Sequence, residues 1–306
     1  MEKRLAAALA GLAAFLAGFV LGFTGVRSAS AGLPTGLLGS APAPSSSPSL
    51  IPSPGAASRL AALRQQIVEL LEQETATGGV TLVELGGPSP QTLSLNGDES
   101  FVAASTYKLP LLMREAQEVA AGRWSPDDQL CYEEGDYEEG YYDDYEDGDC
   151  FTREELDERA GIASDNTAAR ILVREDGGPS ALQDYARAHG ATESAFWDPN
   201  TTTSDDLARL LVDEAEGRAG GAAAQRYLYP LLTHTDYEDG IPAGVPARAT
   251  VVHKIGSLGT ELNDAGLVMG GPHGTYVLSI CTSGSDDGWE LLADISQVVW
   301  RFEAGR

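Results

Sequence analysis

The sequence predicts an α+β domain: an antiparallel sheet flanked by an N-terminal and a C-terminal helix, with an all-helical lobe between its first and last strands. Three observations predict it. Strand-like runs stand at both ends of the folded region, at Val80–Leu85 and about Gln91 to Leu95, and again at Thr250–Ser257, Gly266–Met269 and Tyr276–Cys281. Between them, from about 104 to 232, the apolar period is helical. Outside them lie Leu60, Leu63, Ile67, Leu70 and Leu71 at helical spacing, and a last run from Trp289 to Phe302.

The N-terminal part is not core material. Glu2-Lys3-Arg4 precedes about twenty-two uncharged residues, Leu5 to Val26, long enough to span a bilayer with the basic end held inside. Residues 1–31 are therefore expected to be an anchor that leaves the rest extracytoplasmic; the alternative is a secreted chain cleaved near Ala29-Ser30-Ala31. Residues 32–57, made of Pro, Ser, Gly and Ala, read as a tether, and 58–306 as one folded domain. A formal net charge of −26 over 306 residues leaves no basic surface for phosphates, so nucleic acid is excluded as a partner. A monomer is expected.

Within the domain, Gly78-Gly79 should end the first helix, Gly86-Gly87-Pro88 and Asn96-Gly97 should turn the chain, and a strand, turn and helix should follow, the helix opening at or near Ser105. Cys131 and Cys150 then bracket an insertion crowded with Tyr, Gly and ten carboxylates; in an exported chain the two thiols are expected to pair. Its end, Asp143 to Glu154, nearly matches a calcium loop, with Asp143, Asp147, Asp149 and Glu154 as candidate ligands, but Tyr145 takes the third ligand position and flanking helices are not evident. The plainer reading is a solvated acidic loop, and no other cofactor is expected. Thr152 to Glu155 reads as a capping box, and Ser164-Asp165-Asn166 opens the next helix. Asn263-Asp264-Ala265-Gly266 reads as a turn, Cys281 as a buried free thiol. The four histidines, His189, His234, His253 and His273, are too scattered to argue a metal or a catalytic triad.

Chemistry points to the lysines. The chain has three, Lys3, Lys108 and Lys254, against seventeen arginines, which cannot serve as bases. Lys108 follows Ser105 by three residues, one helical turn, and a desolvated amine there can take the serine proton. Ser105-x-x-Lys108, Ser164-Asp165-Asn166 and Lys254-Ile255-Gly256-Ser257 stand in that order, each in a fitting element. With them the chain resembles the penicillin-recognising serine hydrolases, class A β-lactamases and penicillin-binding proteins, over about residues 59 to 303. The resemblance implies a β-lactamase/transpeptidase-like fold and a small β-lactam or peptidoglycan peptide as substrate. It implies Ser105 as nucleophile, Lys108 as proton acceptor, Ser164 as relay to the leaving nitrogen, and Lys254 as the electrostatic anchor of a substrate carboxylate. Asn166 would bind the substrate amide, Gly256 would let substrate backbone lie along the strand, and the N–H groups of Ser105 and Ser257 would form the oxyanion hole.

The pattern departs from the family twice. Ile255 replaces a hydroxyl residue, and the segment Ala191 to Asn200 is too short for the loop that carries the deacylating glutamate; Glu193 and Asp198 are its carboxylates, in no recognisable match. Slow deacylation is therefore expected. The same departures and the acidic insertion motivate a rival, a non-catalytic cell-surface binding module on this fold, and a serine esterase would use the same nucleophile and base.

Overall fold

The computed structural model describes residues 54–305; the expected anchor and most of the tether lie outside the described residues. Among the described residues no helix is long and apolar enough to cross a membrane.

The described residues open with helix α1 (Pro54–Gln73), whose Leu63, Ile67 and Leu71 are buried. Strand β1 (Thr77–Glu84) pairs antiparallel with β2 (Thr92–Leu95). Gly78 and Gly79 lie inside β1 rather than ending the helix. A side chain at Gly78 would meet Leu71 and one at Gly79 the carbonyl of Asn96, so both glycines serve close packing. The short β3 (Phe101–Val102) leads through a single 3-10 turn, Ala104–Tyr107, into α2 (Lys108–Ala120). The helical lobe continues with hairpin strands β4 (Gln129–Cys131) and β5 (Cys150–Thr152), α3 (Arg153–Gly161), α4 (Asn166–Glu175) and α5 (Pro179–Ala188). Thr152 and Glu155 form the expected capping box. After β6 (Thr201–Thr202) come α6 (Ser204–Ala215) and α7 (Gly221–Leu231).

The sheet is completed late, by β7 (Thr250–Leu258), β8 (Glu261–Gly271) and β9 (Gly274–Ser283), before α8 (Gly288–Ala304) ends the chain. Its order is β2-β1-β9-β8-β7, antiparallel throughout, with β7 at one edge. Period-2 alternation divides the apolar side chains between two cores. Leu278 and Ile280 join Leu63, Ile67, Leu291 and Ile295 of the flanking helices. Val277 and Cys281 face the helical lobe with Leu112, Leu172 and Leu211; Cys281 is the expected buried free thiol, and burial raises its proton affinity.

One expectation fails in the sheet. Asn263 and Asp264 are not a turn; they sit inside β8 near its start, fully buried, opposite Gly256 and Ile255 of β7. Period reading misses them because two polar side chains interrupt the apolar run, and each is stabilised by partners remote in sequence. Asn263 Nδ2 donates to the carbonyl of Val102 (2.8 Å), while Asp264 accepts from the N–H of Ile241 (2.8 Å) and pairs with His253 Nδ1 (2.9 Å).

Candidate active site

Ser105 lies in the 3-10 turn, not in a helix, so the first α-helical residue is Lys108. Three elements fix that turn. Strand β3 pairs with β6, and the Ala103 N–H donates to the Asn200 carbonyl (2.9 Å). Asn200 Nδ2 returns a bond to the Ala104 carbonyl (2.9 Å), and Asn263 holds Val102 from β8. Ala104 itself has φ +46°, a conformation that costs a non-glycine residue energy and persists only where the surroundings impose it. Ser164 is strained alike, with φ +57°. The fourth contact explains Gly256. A Cβ there would stand 2.4 Å from the Ala103 carbonyl oxygen, 2.9 Å from the Thr106 nitrogen and 3.0 Å from the Ser105 nitrogen. The missing side chain thus admits the nucleophile's own turn against β7, a duty the sequence reading had not assigned.

From Ser105 the expected polar groups form a connected chain through Lys108 and Ser164. Lys108 Nζ lies 3.0 Å from Ser105 Oγ and donates to the Ser164 carbonyl (2.6 Å) and to Asn166 Oδ1 (2.6 Å). The Ser164 hydroxyl bridges the two lysines, 3.4 Å from Lys108 Nζ and 2.8 Å from Lys254 Nζ. Lys254 also donates to the carbonyl of Ile255 (3.2 Å). Both lysine side chains are buried. Burial lowers the Lys108 amine to about 7, although the nearby carboxylates of Asp165 and Glu138 oppose the shift. Burial and then the charge of Lys108 push Lys254 well below the usual lysine range, against the pull of Asp264. With two strong acceptors taking two of its N–H bonds, a neutral Lys108 amine presents its lone pair toward Ser105 Oγ. The path Ser105, Lys108, Ser164 can carry a proton from the nucleophile to a group beside the Ser164 hydroxyl.

Ser257, the other expected oxyanion donor, is exposed near the end of β7, and Ile255 is buried. Segment 191–200 is a tightly held short connection. Asp206 Oδ2 accepts from the N–H of Glu193 (2.8 Å) and the N–H of Ser194 (2.7 Å), and Gln183 clamps Ser194 and Phe196. Glu193 and Asp198 are both exposed, and Asp198 lines a surface hollow with Gln183 and Arg187. Asn200, overlooked beside them, reaches the nucleophile's turn through the Ala104 carbonyl, and Trp197 packs edge-on against Tyr107 of the same turn; the signal for Asn200 was its place directly before the Thr201-Thr202 strand.

The insertion is exposed to solvent over most of its length, as expected of an acidic loop, yet it is held to the helical lobe. Cys131 and Cys150 are disulfide-bonded across paired residues of β4 and β5. β5 and the cap of α3 run through the last third of the calcium-like stretch. Among the described residues no group of three His, Cys, Asp or Glu side chains stands where it could hold a metal ion, so Asp143, Asp147, Asp149 and Glu154 are not gathered into one. The intervening chain instead lies on Asp165, Asn166 and Thr167, through bonds described below.

A serine turn, two buried lysines and a bridging hydroxyl meet at the junction of sheet edge and helical lobe, an arrangement equipped for nucleophilic serine chemistry. Residues 62–302 match the model of the beta-lactamase enzyme family, and the chain belongs to that family. It is 32% identical over 170 residues to a beta-lactamase of Streptomyces albus G, a match covering 48% of this chain and 53% of that one, so the chain spans about half the length of the curated relative it matches. Among solved structures it is similar to PBP-A, captured as a point mutant in an acyl-enzyme complex with penicillin G (TM-score 0.74, 27% identity, 79% of this chain and 96% of that chain). It is also similar to a beta-lactamase from Sphaerobacter thermophilus (TM-score 0.71, 26% identity, 81% and 98%) and to an ancestral class A beta-lactamase (TM-score 0.71, 26% identity, 78% and 99%).

Proposed function

We propose that the chain is a serine hydrolase that acylates Ser105 with a β-lactam or a cell-wall peptide amide and deacylates slowly. Ser105 Oγ attacks the carbonyl carbon while its proton passes to neutral Lys108. The C–N bond breaks as Ser164 delivers a proton to the leaving nitrogen, and Lys108 reprotonates Ser164. Water later cleaves the ester and regenerates Ser105. Lys254 holds the substrate carboxylate and Asn166 its amide. The observation that carries the reading is Lys108 Nζ, buried, lowered to about 7 and 3.0 Å from Ser105 Oγ. Slow deacylation is supported by the outward placement of Glu193 and Asp198, the carboxylates of the short segment. Work outside the cytoplasm, tethered by the N-terminal segment, completes the proposal.

Intact-mass measurement after incubation with benzylpenicillin tests it. An adduct that maps to Ser105, persists for hours and is lost in Ser105→Ala is the expected result. Rapid hydrolysis without a lasting adduct would overturn the slow step. Neither adduct nor hydrolysis, with a peptide thioester also inert, would overturn the acyl-enzyme reading itself.

A further inference from the structure

The disulfide-bracketed insertion makes an unusual set of bonds for an acidic surface loop. Six hydrogen bonds join it to the Ser164–Thr167 segment. The N–H groups of Tyr141 (3.0 Å) and Tyr142 (2.9 Å) donate to Asp165 Oδ2, and the Tyr145 hydroxyl donates to Asp165 Oδ1 (2.7 Å). The Glu138 N–H donates to Thr167 Oγ1 (3.1 Å), and that hydroxyl donates back to the Glu138 carbonyl (3.0 Å). Asn166 Nδ2 donates to the Glu139 carbonyl (2.7 Å). Between these bonds Gly140 is pressed onto the segment, where a Cβ would stand 2.8 Å from Asp165 Oδ2 and 2.9 Å from the Asn166 nitrogen. Arg170 pairs with Glu138, and Arg159 pairs with Asp144 and lies against the rings of Tyr142 and Tyr145.

The bond from Asn166 to Glu139 has a consequence two atoms away. An amide that gives Nδ2 to a carbonyl on one side must turn Oδ1 to the other. Here Oδ1 meets Lys108 Nζ at 2.6 Å. We infer that residues 138–145 form a strap that positions Lys108 through Asn166 and Asp165, so that the nucleophile's base is set by an element outside the three motifs.

The inference rests on the proposed roles of Ser105 and Lys108. It distinguishes the strap from mere cover because the strap also brings a charge. Glu138 and Asp165 raise the proton affinity that burial lowers in Lys108, and the same Glu138 acts on the Tyr107 hydroxyl. The other groups facing Lys108 are Lys254, whose amine shares Ser164 with it, and the Tyr107 ring, 5.5 Å from Nζ. Of these the strap supplies one charge, that of Glu138, so its removal has a signed effect: Lys108 should titrate at lower pH.

Two variants of the full chain test this. Gly140→Val forces the strap off Asp165 and Asn166, and Glu138→Gln leaves it in place without its charge. In Gly140→Val, acylation of Ser105 by benzylpenicillin should slow by about tenfold or more while the far-ultraviolet spectrum is kept. In Glu138→Gln, the acid limb of the acylation rate should move to lower pH with the plateau within about threefold of the parent. A readout independent of activity is at hand, because ¹³C-lysine labelling gives at most three side-chain signals, from Lys3, Lys108 and Lys254. The Lys108 signal should titrate at lower pH in Glu138→Gln than in the parent. A folded Gly140→Val with the parent rate, or an unmoved Lys108 titration in Glu138→Gln, overturns the strap. If Gly140→Val does not fold, the Glu138→Gln titration decides alone. A parent that never acylates defeats the reading of Ser105, and the lysine titration still judges the strap.

Discussion

Replacing Gly256 by alanine tests how the nucleophile is held. The added Cβ would lie 2.4 Å from the Ala103 carbonyl oxygen, about 1 Å inside ordinary van der Waals contact, with the Thr106 and Ser105 nitrogens at 2.9 and 3.0 Å. All three neighbours are backbone, so no side chain can swing aside. The 3-10 turn or β7 must shift by a large part of that 1 Å. The turn is tied to Asn200 and Asn263, and β7 to β8 along nine paired residues, so the shift strains both. Overpacking of this kind costs about 1–3 kcal/mol of stability. Its effect on acylation should be larger, about a hundredfold, because misplacement of a reacting group by ~1 Å costs about that much. Thermal unfolding followed by circular dichroism gives the first quantity, and the rate of Ser105 labelling by a fluorescent penicillin the second. A Gly256→Ala chain that labels within about threefold of the parent would refute the argument that this glycine exists to seat the turn.

Three further outcomes are expected. Acylation in the parent should rise with pH through about 7, because the attacking step needs neutral Lys108, which burial brings to that value; stopped-flow labelling across pH 5 to 9 would show it, and a flat profile would remove Lys108 as the base. His253, fully buried, is penalised as a cation by burial, yet Asp264 at 2.9 Å and Glu238 at 3.2 Å raise it from 6.5 to about 9. Its stabilisation is therefore full below pH 6.5 and is lost as pH rises through about 9, so the parent's thermal advantage over Asp264→Asn should be large at pH 6 and shrink by pH 10. Asn200→Ala removes the bond to the Ala104 carbonyl and should destabilise by about 1 kcal/mol while slowing acylation; unchanged labelling would show that the turn keeps its strained shape without it.

What the sequence disclosed of the site follows from how local each signal is. Ser105, Lys108, Ser164 and Lys254 could be singled out because the proposed chemistry needs particular residue types, and with so few lysines each position carries weight. Lys108 touches the Ser105 hydroxyl and shares that of Ser164 with Lys254, which agrees with that reading. The helix boundaries were legible where capping is local, as at Thr152 and Glu155. The 3-10 turn at Ser105 was not, because its shape is imposed by Asn200 and Asn263, far along the chain. Gly78 and Gly79 misled for the same reason: a glycine in a tightly packed strand and a glycine in a turn look alike until the neighbour across the sheet is known.

The acidic insertion is the sharpest case. Read locally, Asp143 to Glu154 offers oxygen ligands at nearly regular spacing, and repulsion among ten carboxylates suggests a loop splayed into solvent. The folded chain keeps most of the loop exposed but offsets the repulsion. Asp136 and Glu133 pair with Arg174, Glu138 with Arg170 and Asp144 with Arg159, so helices α3 and α4 supply the cations that the insertion lacks. Each exposed pair is worth little alone. Together with the disulfide and the backbone bonds to Asp165 they fix one conformation, and that conformation places a carbonyl on Asn166. A segment whose composition suggests a solvated acidic loop is thereby held by the helix that carries the second motif, and in return it fixes the amide that faces Lys108.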